Sequence, residues 1–483
     1  MGAVASVMST VLCCACTGLS CACSFMGCCI GTASSAAGGI SAYTARYFYI
    51  LLLGLIAVAC FVLRYEADDW ALHINGWDVG CSNSTSKVNV NPLSSDGWYA
   101  YCQGDSAVYR LCAAVCIFHF IHLPFALCGS GFHRGFWFWK LLLLFGGIVG
   151  FMFIPADDFN DYGFVVTAQA TSFFFIVLQL FILVGWFYAW NDKWTDNVYV
   201  NGGNENCWLA MILLCSLGMY IAAFAGIALL FIGYKCSLAR AITSVTVISI
   251  VLITILTLFR DRYANGEPGS ILPAAGVSLY ITFIAWSALE LNHDLDCKPL
   301  SIQNDEDAWL QTVVSMLFLA VSMMWLASQH FNSVVGFFSG KATVNSHHTP
   351  SSGEESSGLV YESNEKSQVQ GNESNPTRNK RKVGEATGTA VFHTSMIFVV
   401  LYLSMVVTNW GETLVTFEGE NLGNRQLWIK IASQWVGILL FIWTLIAPAV
   451  LTNRDFSTPA VDSRRPSGST STNAATSNSI RMV

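Results

Sequence analysis

Long apolar runs recur along the whole chain and restrict its fold more than any other feature. An α-helix of about 20 apolar residues crosses the roughly 30 Å hydrocarbon core of a bilayer. The composition agrees, because 54% of the 483 residues are hydrophobic, 11% are charged and the mean hydropathy is +0.51. We therefore expect an all-α polytopic membrane protein. The expected helices lie at 40–63, 106–128, 135–154, 162–190, 207–233, 238–259, 271–290, 308–338, 391–409 and 428–452.

The loops between these helices alternate in charge. One set is basic and includes the run RNKRK at 378–382, whereas the other is acidic and includes EADDW at 66–70 and DDFND at 157–161. Because basic loops stay in the cytosol, the first set and both termini are predicted to be cytosolic. The acceptor sequence NST at Asn83 falls in the opposite, lumenal set, where N-glycosylation takes place.

The pattern divides the chain into five segments. Two of them, poor in apolar residues, are expected to be disordered. The segments are a Cys-rich cytosolic or membrane-associated part at 1–39, helices one to eight at 40–338 with a lumenal loop at 65–105, a disordered cytosolic loop at 339–388, helices nine and ten at 389–456, and a disordered cytosolic tail at 457–483.

Four cysteines fall in the predicted lumenal loops, where the oxidising environment favours disulfides. They are Cys81, Cys102, Cys236 and Cys297. Four cysteines allow three pairings, and of these we favour Cys81 with Cys102 and Cys236 with Cys297.

A second group of cysteines lies on the cytosolic side, in the stretch CCACTGLSCACSFMGCC. Its members are Cys13, Cys14, Cys16, Cys21, Cys23, Cys28 and Cys29. Thiols stay reduced there, and a finger-like metal site would need ligands at fixed spacing, so disulfides and metal are disfavoured. Two interpretations remain: small-residue packing in the membrane and S-acylation. Gly2 and Ser6 have the spacing of a myristoylation signal, which favours a lipid anchor.

The fourth and eighth predicted helices are longer than a bilayer requires, and each carries a polar stripe on one face. The stripe residues are Gln169, Ser172 and Gln179 in the fourth helix, and Gln311, Ser315, Ser322 and Gln329 in the eighth. One interpretation is that the two helices cross and hydrogen-bond through these residues. The other is that the stripes line a groove along which a lipid headgroup slides.

Few ionisable residues lie within the predicted helices. Those near helix ends are expected to extend to the membrane interface: Arg46, Arg64, Arg110, Lys140, Glu290 and Lys430. His119 and His122 lie deeper, three residues apart on one helix face. Polar packing between helices explains this pair more simply than a metal site or a proton relay, because the sequence places no third ligand.

The sequence carries no pattern of a known enzyme chemistry. The closest match to a phosphate-binding loop, GFFSGKA at 336–342, has the wrong spacing and lacks the hydroxyl after its lysine. No nucleophile elbow, zinc-protease helix or dinucleotide turn occurs. The scattered basic residues and net charge of −7 disfavour a nucleic-acid partner. We expect a protein that is not an enzyme and that has no cofactor.

Several distinctive stretches occur along the chain. They are MGAV at the start, GFWFWK at 135–140, WNDKW at 190–194, SLY and WSA within 278–288, CKP at 297–299, and WIKIASQWVGILLFIWTLIAPAVLTNRDFS at 428–457. In this order, these stretches resemble the Serinc (serine incorporator) family of eukaryotic membrane proteins. The resemblance covers the chain to about residue 457.

The resemblance implies ten transmembrane helices in two bundles, separated by a crossed pair of long tilted helices, the fourth and eighth. It implies ATP-independent scrambling of phosphatidylserine and other phospholipids, and a link to phosphatidylserine and sphingolipid homeostasis. The alternatives are a scaffold that supports serine incorporation into lipids and a secondary transporter of a small polar solute. Where the family often has Asp and His, this chain has Gly185 and Tyr188, so the resemblance implies no charge-dependent step at these two positions.

The partners expected from the resemblance are membrane phospholipids, sterol or sphingolipid, and lipid-synthesis enzymes. A second copy of the chain is a further candidate. The expected location is the plasma membrane, Golgi or endosomal membranes.

Overall fold

All described parts of the chain are helical or lie in short turns. A computed structural model describes residues 41–65, 95–128, 131–154, 163–199, 205–264, 269–292, 297, 308–328, 376–411 and 423–450. Within these ranges no β-strand occurs. Helices satisfy their own backbone hydrogen bonds, which is what a segment in hydrocarbon requires.

The helices are numbered here in chain order. They are α1 Ala42–Tyr65, α2 Ser95–Cys128, α3 Gly131–Arg134, α4 Trp137–Met152, α5 Phe164–Tyr199, α6 Glu205–Gly233, α7 Ser237–Leu258, α8 Arg260–Tyr263, α9 Ile271–Leu289, α10 Ala308–Ser328, α11 Pro376–Val407 and α12 Gly423–Val450, with a 3₁₀ turn at Asn409–Gly411 after α11.

Within the described ranges, nine helices are long and apolar enough to cross a membrane, which confirms the predicted all-α polytopic fold. The predicted third membrane helix, α4, has 16 residues and is therefore only about 24 Å long. It nevertheless contacts α3 at its first turn and α2 just beyond its last residue. At its start, Lys140 Nζ donates to the His133 carbonyl, and just beyond its end the Ile154 carbonyl accepts from Arg110 Nε.

Several helices extend further than the sequence predicts. α2 begins at Ser95 instead of 106, α11 begins at Pro376 instead of 391, and α5 ends at Tyr199 instead of 190. Hydropathy marks only the part of a helix in lipid, and the polar flanks can continue the helix into water. Residues 376–388, placed by the sequence in the disordered loop, thus belong to α11. Of the predicted eighth helix, 329–338 lie outside the described residues.

The membrane helices pack as two bundles. The first bundle contains α1, α2, α4 and α11, and the second contains α6, α7, α9 and α12. α5, the predicted fourth membrane helix, contacts members of both bundles. α10, the predicted eighth, packs on α5 and on the first bundle, and its Phe318 also contacts α9. This agrees with two bundles on either side of the fourth and eighth helices.

Close helix contacts hold α5 between its neighbours. A Cβ atom at Gly276 of α9 would lie 2.3 Å from the ring of Phe187 of α5, so only glycine permits this packing. On another side of α5, a Cβ atom at Gly185 would be 3.5 Å from Nε1 of Trp325 of α10. Gly185 therefore lies against an indole of α10.

The two ends of the molecule are distinguished by their polar groups. At the disulfide end, Cys236 before α7 is bonded to Cys297 after α9, and Arg64 of α1 pairs with Asp105 of α2. At the opposite end, which we call the histidine end, His133 lies in α3. α5, α10 and α12 begin at the disulfide end, and α6, α9 and α11 finish there.

Candidate functional site

An apolar groove of about 810 Å³ lies between α6, α9 and α10. Most of its wall is aliphatic or aromatic. Representative wall residues are Leu229 and Ile232 of α6, Leu279 and Phe283 of α9, and Val314 and Phe318 of α10. The side chains of Leu229 and Ile232 are 68% and 71% exposed, so the rim of the groove opens to the surface that faces lipid.

Polar groups are concentrated at the mouth of the groove, at the disulfide end. Tyr234 and Lys235 follow α6, and Glu290 follows α9. Along α6 the groove extends from Ala222 to Lys235, a helical distance of about 20 Å. Half of the hydrocarbon core is about 15 Å thick. The groove is therefore long enough to span one leaflet, and its charged mouth lies where the helices α6 and α9 end.

A buried lysine lies behind the groove wall. Ser287 of α9, which follows a wall residue, accepts from Lys430 Nζ at its carbonyl (2.8 Å) and at its Oγ (2.7 Å). The ammonium group also lies 4.7 Å from the centre of the Trp410 ring. Gln311 Nε2 of α10 donates to the same Ser287 carbonyl at 3.3 Å. These contacts satisfy an ammonium group whose side chain is only 3% exposed.

The turn after α11 has an uncommon backbone. Asn409 and Trp410 have φ angles of 46° and 62°, a left-handed conformation that is costly for a bulky residue. Two glutamines hold this turn, because the Trp410 carbonyl accepts from Gln169 Nε2 of α5 at 3.0 Å and from Gln426 Nε2 of α12 at 2.6 Å. The turn thereby joins three helices and places the Trp410 ring over Lys430.

The stripe of α5 is buried and bonded inside the protein. Gln169 contacts the Trp410 turn, Ser172 donates to its own helix, and Gln179 Oε1 accepts from Tyr280 Oη of α9 at 2.9 Å. The three stripe residues are at most 1% exposed. They connect α5 with α9 and with the turn after α11, and none of them lines the groove.

The described part of the α10 stripe is also buried. Gln311 donates to Ser287 of α9, and Ser322 donates to the carbonyl of Phe318 in its own helix. Ser315 is 4% exposed, and Gln329 lies outside the described residues. The groove is therefore lined by other residues than the two stripes, and a lipid path along the stripes stays a prediction.

The ionisable residues expected to extend to the interface are turned inward, which corrects that expectation. Arg110, Lys140 and Lys430 are 0%, 1% and 3% exposed, and Arg46 and Arg64 are buried as well. Carbonyl oxygens, aromatic rings and Asp105 bind these cations within the protein. Glu290 alone is partly exposed, at the mouth of the groove.

Of the predicted modification sites, the structure describes only one pair. The disulfide between Cys236 and Cys297 is one of the two favoured pairings. Asn83, Cys81, Gly2 and the N-terminal cysteines lie outside the described residues, as does the side chain of Cys102.

His119 and His122 of α2 belong to a cluster of four buried histidines at the histidine end. The other two, His133 of α3 and His393 of α11, are distant in sequence and were not predicted. Burial, together with the charges of Lys140 and Arg46, lowers the pKa of His133 to about 3. Among the described residues, no set of three potential ligands is arranged to hold a metal ion.

Comparison with known proteins places the chain in a family. A family model described as Serine incorporator (Serinc) matches residues 12–454. The chain belongs to the serine incorporator family. The relatives include "Serine incorporator 3" of Bos taurus, 28% identical over 453 residues, which cover 85% of this chain and 91% of the relative. "Serine incorporator 2" of Homo sapiens is 28% identical over 387 residues, covering 73% and 80% of the two chains.

A further relative matches over a similar length. "Probable serine incorporator" of Nematostella vectensis is 26% identical over 438 residues, which cover 85% of this chain and 90% of the relative. The region matched by the family model, residues 12–454, includes all helices of both bundles. The groove and the buried Lys430 therefore lie within the part of the chain that is shared with the serine incorporator family.

Proposed function

We propose that this protein binds phospholipids in the groove between α6, α9 and α10 and moves them between leaflets without ATP or chemical conversion. The groove itself carries the proposal. Its apolar wall suits acyl chains, and its mouth presents Lys235 and Glu290 at the level of headgroups. A phosphate and an amine on one lipid would find opposite charges there.

Movement across the membrane also requires a lower cost for the headgroup in the bilayer centre. Polar groups continue along α9 from the mouth towards the middle. The first contact from the mouth is that of Lys430 with Ser287. Further along α9, Gln434 Nε2 of α12 donates to the Ile281 carbonyl at 2.8 Å. Beside it, the Tyr280 hydroxyl donates to Gln179. This polar column is the route we propose for headgroups when the helices around it separate.

Phe318 of α10 lies between the groove and the polar column. Its ring lines the groove, and it packs 5.2 Å from the ring of Tyr280 and 5.0 Å from that of Phe283. In the described conformation the column is therefore closed to the groove. We propose that movement of α10 away from α9 is the step that opens it.

The lipid class and the cellular role extend this proposal. The relatives' names speak of serine incorporation, and we propose phosphatidylserine among the lipids moved, with a role in phosphatidylserine and sphingolipid homeostasis. The proposed partners are membrane phospholipids and enzymes of lipid synthesis. The proposed location is the plasma membrane or Golgi and endosomal membranes.

Reconstitution in liposomes tests the proposed activity. Vesicles carry a fluorescent phospholipid in both leaflets, and a reductant that cannot cross the membrane destroys the fluorophores on the outside. Without transport about half of the fluorescence survives. We expect the purified protein to lower the surviving fraction well below half in the absence of ATP. Survival near half, with the protein folded and inserted, would refute scrambling.

A matched pair of variants tests whether the groove is the route. Ala222 lines the groove and is exposed, so Ala222→Trp adds an indole without removing a packed side chain. Ala225 is exposed on the same helix and does not line the groove. We expect Ala222→Trp to slow transport and Ala225→Trp to leave it unchanged. Equal rates in the two variants would place the route elsewhere.

A further inference from the structure

Three of the four buried histidines form a continuous hydrogen-bonded chain. Nδ1 of His119 lies 3.1 Å from Nδ1 of His393, and Nε2 of His393 lies 3.1 Å from Nδ1 of His133. His393 thus uses both ring nitrogens to connect α2 with α3. The fourth histidine, His122, bonds through Nδ1 to the Phe118 carbonyl of its own helix at 2.7 Å. The chain joins α2, α3 and α11 at the histidine end.

Neutral imidazoles suffice for both N···N hydrogen bonds of this chain. Each neutral ring has one N–H donor and one acceptor nitrogen, so both N···N bonds can be made without any charged ring. The side chains of His119, His133 and His393 are at most 2% exposed. An additional proton would therefore place a charge in a buried site.

The surroundings of the chain oppose that charge. Lys140 Nζ donates to the His133 carbonyl and lies 5.3 Å from the ring centre of Tyr49, which itself stacks on His133. The charged groups that interact with His133 are both cations, Lys140 and Arg46. Among the residues that the structure describes, the ionisable groups that interact with His393 come from α2, α3 and α4.

Every helix packed against the chain contributes to this environment. The titratable or charged side chains that these helices place around it, among those the structure describes, are Arg46 and Tyr49 of α1, His119 and His122 of α2, His133 and Arg134 of α3, Lys140 of α4 and His393 of α11. None of these groups is a carboxylate. Among these described groups, a proton taken up by the chain would therefore meet only neutral or positively charged side chains.

We propose that the His119–His393–His133 chain is a proton-sensitive latch that holds α3 against α2 and α11 when neutral and releases them when protonated. The proposal is independent of lipid movement. The direction of the pH dependence follows from the coupling of protonation to opening. A histidine that is neutral when folded takes up its proton only on opening, so low pH favours the open form. The latch is complete above pH 6.5, the ordinary histidine value, and weakens as the pH falls below it.

Thermal unfolding of the full chain in nanodiscs at a series of pH values tests the latch. Each histidine that gains a proton on opening shifts the opening equilibrium about tenfold per pH unit below about 6.5. We expect the apparent Tm of the wild type to fall between pH 7.5 and 5.0, and that of His393→Gln to fall less. His293→Gln, in the segment between α9 and α10, is the matched control and should follow the wild type.

Two results would overturn the latch. One is that the apparent Tm of His393→Gln depends on pH in the same way as that of the wild type. The other is that His293→Gln reduces the pH dependence of the Tm as much as His393→Gln does. If His393→Gln does not fold, hydrogen exchange of the wild type decides, after correction for intrinsic exchange. Peptides covering α3 and the start of α4 should then lose protection at pH 5.0, whereas peptides from the end of α9 should keep it. Uniform loss, or no loss, refutes the proposal.

Discussion

Replacing Phe318 by alanine should accelerate lipid movement. The ring separates the groove from the buried pair of Tyr280 and Gln179, and it makes aromatic contacts with Tyr280 and Phe283 at 5.2 and 5.0 Å. Each aromatic pair contributes about 0.5–1.5 kcal/mol beyond the area that it buries. Removal of both pairs therefore costs the closed arrangement about 1–3 kcal/mol.

If opening at this ring limits transport, the barrier falls by the same amount. A change of about 1–3 kcal/mol corresponds to a rate increase of about 5- to 150-fold. The initial rate of fluorescence loss in the liposome assay measures the effect directly. Phe318→Leu keeps most of the volume of the side chain and should give a smaller increase.

The control for this variant is Phe224→Ala. Phe224 lies on α6, is 46% exposed and does not line the groove. Its loss should leave the transport rate unchanged. A Phe318→Ala protein that is folded and transports lipid at or below the wild-type rate would refute the role of this ring as the barrier.

Three further predictions concern stability, each measured as a thermal shift in detergent. Ser287→Ala removes one acceptor from the buried Lys430 ammonium and should cost about 1.5–3 kcal/mol, and less in a Lys430→Met background. Replacing both Cys236 and Cys297 by serine opens a bridge over 61 residues and should cost about 4 kcal/mol. Gly104→Ala should cost about 1–3 kcal/mol, because its Cβ would lie 2.7 Å from a backbone carbonyl oxygen of α1.

Each of these predictions has a result that contradicts it. Equal costs of Ser287→Ala with and without Lys430 would mean that the hydroxyl does not stabilise the ammonium group. An unchanged Tm after loss of the disulfide would show that the bridge does not constrain the unfolded chain. Gly146→Ala is the control for Gly104→Ala, since nothing lies within 4 Å of its Cβ position. A similar small effect of both substitutions would refute the close approach.

The positions of the membrane helices could be predicted from the sequence, because a run of about 20 apolar residues has the length of a helix that crosses a bilayer. Helix ends could not, since the hydrophobic signal stops where the helix enters water, as at Ser95 and Pro376. The inward direction of Lys140 and Lys430 also depends on tertiary contacts. A charged residue near a helix end gives the same pattern whether it turns to the interface or to a carbonyl inside the protein.

The buried polar residues of the last helix form a sequence pattern from which their burial could have been predicted. Gln426, Lys430, Ser433 and Gln434 follow one another at spacings of four, three and one on the last helix, and all four are buried. This is the kind of stripe that we recognised on the fourth and eighth helices. In contrast, the histidine chain had no such signal, because His133 and His393 reach His119 only after separate segments pack.

Native mass spectrometry of the purified protein tests the central claim, that the groove is a phospholipid site, most directly. The wild type and the Ala225→Trp variant are expected to retain bound phospholipid under activation that strips loosely attached lipid. The Ala222→Trp variant, with its indole in the groove, is expected to lose it. Equal retention by all three proteins, or no retention by the wild type, would contradict the account.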